Sequence, residues 1–194
     1  MDGFTIWFTG IPSSGKTTLA KMLACELKKR QFRVEHLDDD ILMEKFYSGL
    51  AYCGEDRHIE DRHIYIKRIA FICNLLARNN IISIVSVNSN NREIRNNNRG
   101  LIGKYIEIYT KCPIETCILR DPKGLFKKAL TGEIKNLCGI SDTYEEPFFP
   151  EIAIDTEKET VDASIYTILS YLESNSYISK ITTPSPEEFE KFYA

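Results

Sequence analysis

The sequence predicts an α/β protein with a doubly wound, mostly parallel sheet flanked by helices. Short apolar runs rich in β-branched and aromatic residues alternate along the chain with longer segments whose apolar residues recur at helical spacing. This alternation is typical of βαβ units, which have right-handed crossovers and bind ligands outside the carboxyl ends of their strands. We therefore expect the functional motifs to follow strand ends.

The individual elements are predicted from these runs. The strands are FTIWFTG, RVEHLD, IISIVSVN, KYIEIYT and EIAIDT, with the continuous β-branched run IISIVSVN as a central strand. The helices are TTLAKMLACELKKRQF, IYIKRIAFICNLLARNN, PIETCILR and VDASIYTILSYLES. The Asn-rich NSNNREIRNNNRG is expected to be a polar loop leading into a helix. The polar stretch DPKGLFKKALTGEIKNLCGISDTYEEPFFP is expected to form a lid or binding loop.

Composition favours an ordinary globular protein. The chain has 194 residues, 43% of them hydrophobic and 27% charged, and a formal net charge of −3. We expect one domain over residues 1–180 and a peripheral polar tail over 181–194. The chain has no excess of basic residues that would suggest a nucleic-acid partner. Its apolar runs are too short to span a membrane, and the N-terminal MDGFTIWF does not resemble a secretion signal. A cytoplasmic location is expected.

Cysteine and histidine spacing does not predict a metal site. The six cysteines include no CxxC pair, and the three histidines have no metal-like spacing to them. Several cysteines fall within apolar segments, which indicates reduced, buried thiols.

A phosphate-binding loop follows the first predicted strand. GIPSSGKT, from Gly10 to Thr17, matches GxxxxGK[ST] and lies between a strand and a helix, which is the context that this motif requires. Its backbone N–H groups approach phosphate oxygens, Lys16 reaches the β and γ phosphates, and the Thr17 hydroxyl can hold Mg²⁺. We predict a P-loop NTPase fold that binds ATP or GTP with Mg²⁺. The predicted contact residues are Gly10, Ser13, Ser14, Gly15, Lys16, Thr17 and Thr18.

Acidic residues follow the second predicted strand, in HLDDD. An acidic run is often only a solvated turn. However, the chain lacks the guanine-reading NKxD pattern of a GTPase, and its length suits a small-molecule kinase. Phosphoryl transfer requires mainly positioning and charge neutralisation, so one carboxylate at the acceptor hydroxyl and one near the metal suffice. These carboxylates are therefore predicted to be functional.

The motifs, taken in order, resemble the adenylylsulfate kinase family. The matching segments are GIPSSGKTTLA, LDDD, EDRHIYIKRIA, SVNSNNREIR, RDPKGLFKKALTGEIKNLCGI and YEEPFFPEIAIDT. The resemblance spans about Phe4 to Thr156, and DPKGLFKKALTGEIKN is its most specific part. It implies transfer of the γ-phosphoryl group of MgATP to the 3′-hydroxyl of adenosine 5′-phosphosulfate (adenylyl sulfate), a small nucleotide acceptor. The family is commonly dimeric, so the resemblance also implies a homodimer.

The resemblance assigns roles to individual residues. Asp40 corresponds to the carboxylate facing the acceptor hydroxyl, and Asp38 to its partner near the metal. Arg62 corresponds to the arginine that holds the acceptor's 5′ phosphosulfate, and Arg120 to the arginine near the ATP base. Asp39 stands where the family has glycine and receives no role. Further substrate contacts implied by the resemblance are Ser89 and the lid segment Lys123, Gly124, Leu125, Phe126 and Lys127.

Some of these residues also have a purely structural interpretation. Arg62 and Lys127 would then be exposed helix charges. Phe126 would belong to the core.

Acceptor-site positions depart from the family pattern. Met43 replaces an arginine that binds the acceptor, Tyr65 replaces an asparagine, and Asn90 replaces a proline. Leu137 replaces a stacking aromatic residue, and Tyr52 is a candidate substitute for the other one. Loss of such an aromatic removes on the order of 1–3 kcal/mol per base. Met43, Tyr65 and Leu137 are thus predicted to lie in an altered acceptor site.

Three functions remain open at the level of sequence. Adenylyl sulfate is the first expected acceptor. Some relatives phosphorylate cytidine diphosphoramidate during capsule modification, and a smaller pyrimidine would suit a pocket that lacks the two aromatic residues. The third possible function is a catalytically silent nucleotide-binding module. Such a module would be expected to have lost the base or the phosphate-binding lysine, whereas this chain keeps Asp40, Lys16 and Thr17.

Overall fold

One parallel sheet organises the part of the chain that the structure describes. The computed structural model describes residues 2–47 and 59–180, so Tyr52 and the predicted tail lie outside the described residues. The strands are β1 (Thr5–Thr9), β2 (Val34–Asp38), β3 (Ile82–Ser86), β4 (Tyr105–Lys111) and β5 (Ile152–Asp155). Their order is β2-β3-β1-β4-β5, with every pairing parallel. The predicted doubly wound α/β fold is confirmed.

Helices connect the strands and cover both faces of the sheet. Within the described ranges they are α1 (Lys16–Lys29), α2 (Asp39–Tyr47), α3 (Ile59–Arg78), α4 (Arg92–Ile102), α5 (Ile114–Arg120), α6 (Leu125–Leu130) and α7 (Val161–Ser174). Helix α1 ends with Lys28 and Lys29, whose charges complement the negative end of the helix dipole. Each helix predicted from apolar spacing is present.

Two helical stretches differ from the prediction. Helix α2 was not expected, because DDILMEKFY is short and has little apolar periodicity; it begins with Asp39 and Asp40, which favour a helix N-terminus. Most of the Asn-rich segment is helix α4 rather than loop. The Asn91 side chain caps α4 by accepting a 3.0 Å hydrogen bond from the Ile94 amide. Helix α4 buries one face against the sheet, and this packing outweighs the weak helix propensity of asparagine.

Apolar residues on the two faces of the sheet form separate core clusters. Helices α1 and α7 pack on one face, over residues such as Ile6 and Phe8 of β1. Helices α3 and α4 pack on the other face, around Trp7 and Val85. All five residues of β1 and of β3 are buried, so IISIVSVN supplies an interior strand as predicted. This packing holds the carboxyl ends of β1, β2 and β3 side by side.

The predicted lid is partly helical. It contains α6, and its apolar residues join a third cluster made of Cys112, Cys117, Phe126 and Leu137. This cluster anchors the lid beside the carboxyl end of β4. Among the described helices, none is long and apolar enough to cross a membrane.

Candidate active site

The loop between β1 and α1 is shaped by two glycines. Gly10 has φ 149°, and a Cβ there would lie 2.7 Å from the Ser14 hydroxyl oxygen. Gly15 has φ 95° and caps α1 in a left-handed conformation that favours glycine. The Ser14 hydroxyl is 2.7 Å from that of Thr110 on β4, which fixes the loop to the sheet. The first N–H groups of α1 therefore stand at the helix N-terminus without intrahelical acceptors, as phosphate binding requires.

Lys16 lies buried beneath this loop. Its Nζ donates to the carbonyl oxygens of Gly10 and Ile11, both at 2.8 Å. Burial lowers the pKa of Lys16 to about 8. A buried cation at a helix N-terminus creates a strong preference for an anionic ligand.

Asp38, at the end of β2, is the centre of a hydrogen-bond network. Its Oδ2 accepts from the Thr17 hydroxyl at 2.9 Å and from the Ser86 hydroxyl at 2.8 Å. The parallel register places Ser86 of β3 opposite Asp38. The Ser86 hydroxyl donates its proton to Asp38, so its oxygen can only accept from His36. The Nε2 of His36 lies 2.8 Å from that oxygen and donates to it. Burial alone would raise the pKa of Asp38, but the bonds from Ser86 and Thr17 outweigh it and lower that pKa, so the side chain is ionised.

Thr17 and Asp38 form an oxygen pair that fits Mg²⁺. Magnesium prefers oxygen ligands and usually keeps several waters besides one or two protein ligands and substrate phosphates. Across residues 2–47 and 59–180 there is no group of three or more His, Cys, Asp or Glu residues arranged to hold a metal ion. A cation held here would thus depend on these two side chains together with bound phosphate.

Asp40 lies at the start of α2, next to the lid. Its carboxylate forms an ion pair with Lys123, and their side chains are 61% and 51% exposed respectively. The Asp40 amide donates to Asp38 Oδ1 at 3.2 Å, which connects the two predicted carboxylates through the backbone. The predicted base is therefore accessible to a ligand in the cavity.

Asp39 is a site residue to which the sequence interpretation gave no role. Its Oδ1 accepts from the Tyr65 hydroxyl at 2.8 Å, and its Oδ2 accepts from the Asn88 amide at 3.3 Å. Burial raises the pKa of Asp39, while those two hydrogen bonds act in the opposite direction. A carboxylate at a position where the family has glycine was the signal that could have identified it.

The predicted arginines and Ser89 occupy three different surroundings. Arg62 Nη1 lies 3.6 Å from Asp142 Oδ2, too far for a hydrogen bond. Ser89 is buried, and its hydroxyl accepts from Trp7 Nε1 at 2.9 Å. Arg120 Nη2 donates to the carbonyl oxygen of Thr156 at 2.6 Å, next to the phosphate loop.

The predicted lid residues separate into core and cavity positions. Gly124 precedes α6 as its N-cap residue, with φ 65°, and Lys127 is exposed. Phe126 is fully buried in the third core cluster, in keeping with its structural interpretation, and its predicted substrate contact stays a prediction. Leu125 and Leu137 line the cavity.

Met43 and Tyr65, which the sequence predicted to lie in an altered acceptor site, have distinct surroundings, and neither lines the cavity described below. Met43 is partly buried and packs against the second core cluster, around Trp7 and Val85. Tyr65 is buried and lies edge-on to Phe46, with ring centroids 6.2 Å apart.

One cavity of about 1420 Å³ joins the phosphate loop, the start of α2 and the lid. Its volume exceeds the roughly 300–1,000 Å³ that is usual for a single small ligand. Its walls include predicted residues from the phosphate loop, the acidic run, α3 and the segment that begins at Arg120. They also include Asp39, Ser86 and Asn88, which were not predicted, whereas the predicted Ser89 does not line the cavity. The predicted residues among them are Ser13, Gly15, Lys16, Thr17, Thr18, Asp40, Arg62, Arg120, Lys123, Leu125 and Leu137.

The fold and this site define a P-loop kinase. The adenylylsulphate kinase family model matches residues 2–155, and the chain belongs to that family. The adenylyl-sulfate kinase of Rippkaea orientalis is 42% identical over 179 residues, covering 92% of this chain and 96% of the relative. That of Halothermothrix orenii is 42% identical over 177 residues, covering 91% and 93%.

Solved structures agree with this assignment. The Mycobacterium tuberculosis APS kinase CysC, in complex with AMPPNP and APS, superposes with a TM-score of 0.81 at 28% identity, covering 89% of this chain and 98% of that one. The predicted family and kinase chemistry are confirmed: the protein is an ATP-dependent nucleotide kinase.

Proposed function

We propose that the protein transfers the γ-phosphoryl group of ATP, with Mg²⁺, to the ribose 3′-hydroxyl of a nucleotide acceptor, and that adenylyl sulfate is the first acceptor to consider. The observation that carries this proposal is that Lys16, Thr17 and Asp40 line one cavity next to the N-terminus of α1, where the Thr17 hydroxyl donates to the carboxylate of Asp38. The names of the relatives support adenylyl sulfate.

The donor half of the reaction uses the phosphate loop. The N-terminus of α1 and Lys16 bind the triphosphate, and Lys16 exchanges its two backbone carbonyl partners for phosphate oxygens. Thr17 and Asp38 would hold Mg²⁺, which would supply charge neutralisation at the bound triphosphate. Arg120 is proposed to contact the ATP base.

The acceptor half uses the carboxylate of Asp40. It accepts the proton from the 3′-hydroxyl as that oxygen bonds to the γ phosphorus and the bond to the β-phosphate oxygen breaks, leaving ADP. Asp40 has to exchange Lys123 for the acceptor hydroxyl first. Lys123 is then available to the transferring phosphoryl group.

The acceptor itself has a second candidate. Cytidine diphosphoramidate would use the same chemistry. It is motivated by the altered positions Met43, Tyr65 and Leu137, of which Leu137 lines the cavity where the family has a stacking aromatic residue. The relatives described above are named for adenylyl sulfate, so this acceptor stays a prediction.

A coupled assay of ADP release with each acceptor, followed by mass spectrometry and ³¹P NMR of the product, tests the proposal. We expect an acceptor-dependent rate and a new monoester at the 3′ position. ATP binding without any acceptor-dependent product would instead indicate a silent nucleotide-binding module. Product phosphorylated elsewhere than on the 3′-hydroxyl would contradict the position of transfer.

A homodimer is also proposed, on family grounds alone. Light scattering on the purified protein would give twice the mass of the 22.3 kDa chain. A monomer at micromolar concentration would contradict it.

A further inference from the structure

Hydrogen bonds link three side chains at the carboxyl ends of β2 and β3. His36 Nε2 donates to the Ser86 hydroxyl, and Ser86 donates to Asp38 Oδ2, both at 2.8 Å. His36 and Asp38 are two positions apart on β2, so their side chains lie on the same face of the sheet. The parallel register pairs Ser86 with Asp38. The two strands therefore set these contacts, and we call His36, Ser86 and Asp38 the strand triad.

The strand triad holds a carboxylate in a buried place. The side chains of His36 and Asp38 are only 13% and 4% exposed, and Ser86 is buried. A carboxylate that stays ionised at such a place needs hydrogen-bond donors on its oxygens. Asp38 Oδ2 accepts from Ser86 and from Thr17, while Oδ1 accepts from the Asp40 amide. Donors from β3, α1 and α2 thus fix the orientation of this carboxylate.

Asp38 acts on the cavity through Thr17. Thr17 and Ser86 line the cavity, whereas Asp38 is not among the described residues that line it. The Thr17 hydroxyl has a single proton, which it donates to Asp38 at 2.9 Å. The lone pairs of the Thr17 oxygen are therefore left for a cation in the cavity. If the carboxylate turned away, the Thr17 hydroxyl would be released to rotate.

His36 fixes the direction of the Ser86 proton. A hydroxyl donates only one hydrogen bond, and the Ser86 oxygen accepts from His36, so its proton is directed to Asp38. Successive hydrogen bonds of this type polarise one another, which strengthens the bond to the carboxylate. His36 does not line the cavity, so its effect on a ligand has to pass through Ser86 and Asp38.

We infer that His36 is a positioning residue for the divalent cation, acting through Ser86 and Asp38 on the hydroxyl of Thr17. The inference rests on the part of the proposed function that assigns Mg²⁺ to Thr17 and Asp38, and it deepens that assignment. Removal of the hydrogen-bond partners of metal ligands typically costs about 10–100-fold in metal affinity. Loss of His36 or Ser86 should therefore weaken cation binding selectively. A purely structural role would lower stability without this selective effect.

Calorimetric titration with a non-hydrolysable ATP analogue measures the effect without turnover. The measured quantity is the ratio of the Kd in EDTA to the Kd in saturating Mg²⁺, which we call the magnesium enhancement. We expect it to fall by about 10-fold in His36→Leu and in Ser86→Ala, while the Kd in EDTA stays nearly constant. The double variant should lose no more than the larger single loss, because both residues act along one series of hydrogen bonds.

Two further variants separate a positioning role from a structural one. Ser83→Ala lies on the same strand and removes a buried hydroxyl that is 2.8 Å from that of Thr5, away from Asp38. It should lower the Tm as Ser86→Ala does and leave the magnesium enhancement unchanged. His36→Gln keeps a side-chain N–H donor, so it should recover most of the enhancement that His36→Leu loses.

The outcomes separate this inference from the function on which it rests. A magnesium enhancement in His36→Leu equal to that of Ser83→Ala overturns the inference and leaves the 3′-kinase function intact, even if Ser86→Ala shows a loss. Equal losses of affinity in EDTA and in Mg²⁺ overturn it too, because the defect then lies in phosphate binding. An enhancement of one in the wild-type protein contradicts the assignment of Mg²⁺ to Thr17 and Asp38, and the inference falls with it. The acceptor assay tests the transfer reaction separately.

Discussion

Lys123 of the lid and Asp40 of α2 form an ion pair, although 83 positions separate them in the chain. The contact joins the residue proposed to accept the 3′-hydroxyl proton to the segment proposed to close over the substrates. Both side chains are exposed, so the pair contributes little to stability and can exchange for substrate contacts at small cost.

Asp40→Asn is expected to lower turnover by about 10²–10⁴-fold, since it removes the proposed general base. ATP affinity should stay nearly unchanged, because the phosphate loop and Lys16 are not altered. Steady-state assays and calorimetric titration with a non-hydrolysable ATP analogue measure the two quantities. Glu44→Gln on the same helix serves as the control, and a normal rate in Asp40→Asn would refute the assigned role.

Lys123→Met is expected to lower kcat by about 10²-fold, because a cation directed at the transferring phosphoryl group stabilises the developing charge. The effect on KM for ATP should be smaller. The comparison variant is Lys128→Met, an exposed lysine in the same short helix region, which should behave like the wild-type protein. Equal losses in both variants would indicate a general effect of lid charge instead of a specific contact.

Lys16→Met is expected to stabilise the nucleotide-free protein at pH 7 while abolishing turnover. The folded-state pKa of Lys16 is lowered to about 8 from 10.5, which corresponds to a cost of roughly 3 kcal/mol for keeping the buried amine charged. Loss of its two hydrogen bonds to loop carbonyls, each worth about 1 kcal/mol, offsets part of the gain.

The pH dependence of this effect has a definite sign. Between pH 8 and 10.5 the unfolded chain binds a proton at Lys16 more strongly than the folded protein does, so wild-type stability rises with pH relative to the variant. The advantage of Lys16→Met is complete below pH 8 and shrinks toward pH 10.5. Urea unfolding of the wild-type protein and of Lys16→Met at several pH values measures this difference in the free energy of unfolding. A difference that stays constant between pH 8 and 10.5 would contradict the lowered pKa of Lys16.

Arg95→Met is expected to destabilise the fold by about 3–5 kcal/mol, because the buried carboxylate of Glu107 loses its hydrogen-bonded partner and keeps Arg99 only at 3.6 Å. Arg95 is 1% exposed and donates to Glu107 Oε1 at 2.7 Å. It also donates to the carbonyl oxygens of Ser89 and Glu145, so acceptor affinity should fall as well. The double variant Arg95→Met/Glu107→Leu should recover part of the stability in urea unfolding. Equal losses in the single and double variants would argue against this pairing.

The sequence interpretation succeeded where the information is local. The apolar runs identified every strand of the described sheet, and the phosphate loop was recognisable because its glycines, lysine and threonine are contiguous. It missed α2, whose nine residues of mixed polarity show no clear apolar period. It also assigned to a loop most of the residues that form α4, where packing overrides the weak helix propensity of asparagine.

The sequence by itself determined the class of chemistry, which is phosphoryl transfer. This class is predicted by a strand, a phosphate loop and a helix in succession, followed by carboxylates at the end of the next strand. Only the tertiary structure decided which side chains meet. Thr17 reaches Asp38 across 21 positions, Tyr65 reaches Asp39 across 26, and Ser86 reaches Asp38 across 48. These contacts depend on strand order, on the parallel register of β2 with β3 and on the packing of α3 against the sheet. Long-range pairing is set by the burial of many residues together, so no single motif contains it. For this reason Asp39 has no apparent role in the sequence, whereas in the fold it lines the cavity together with Asp40 and Asn88.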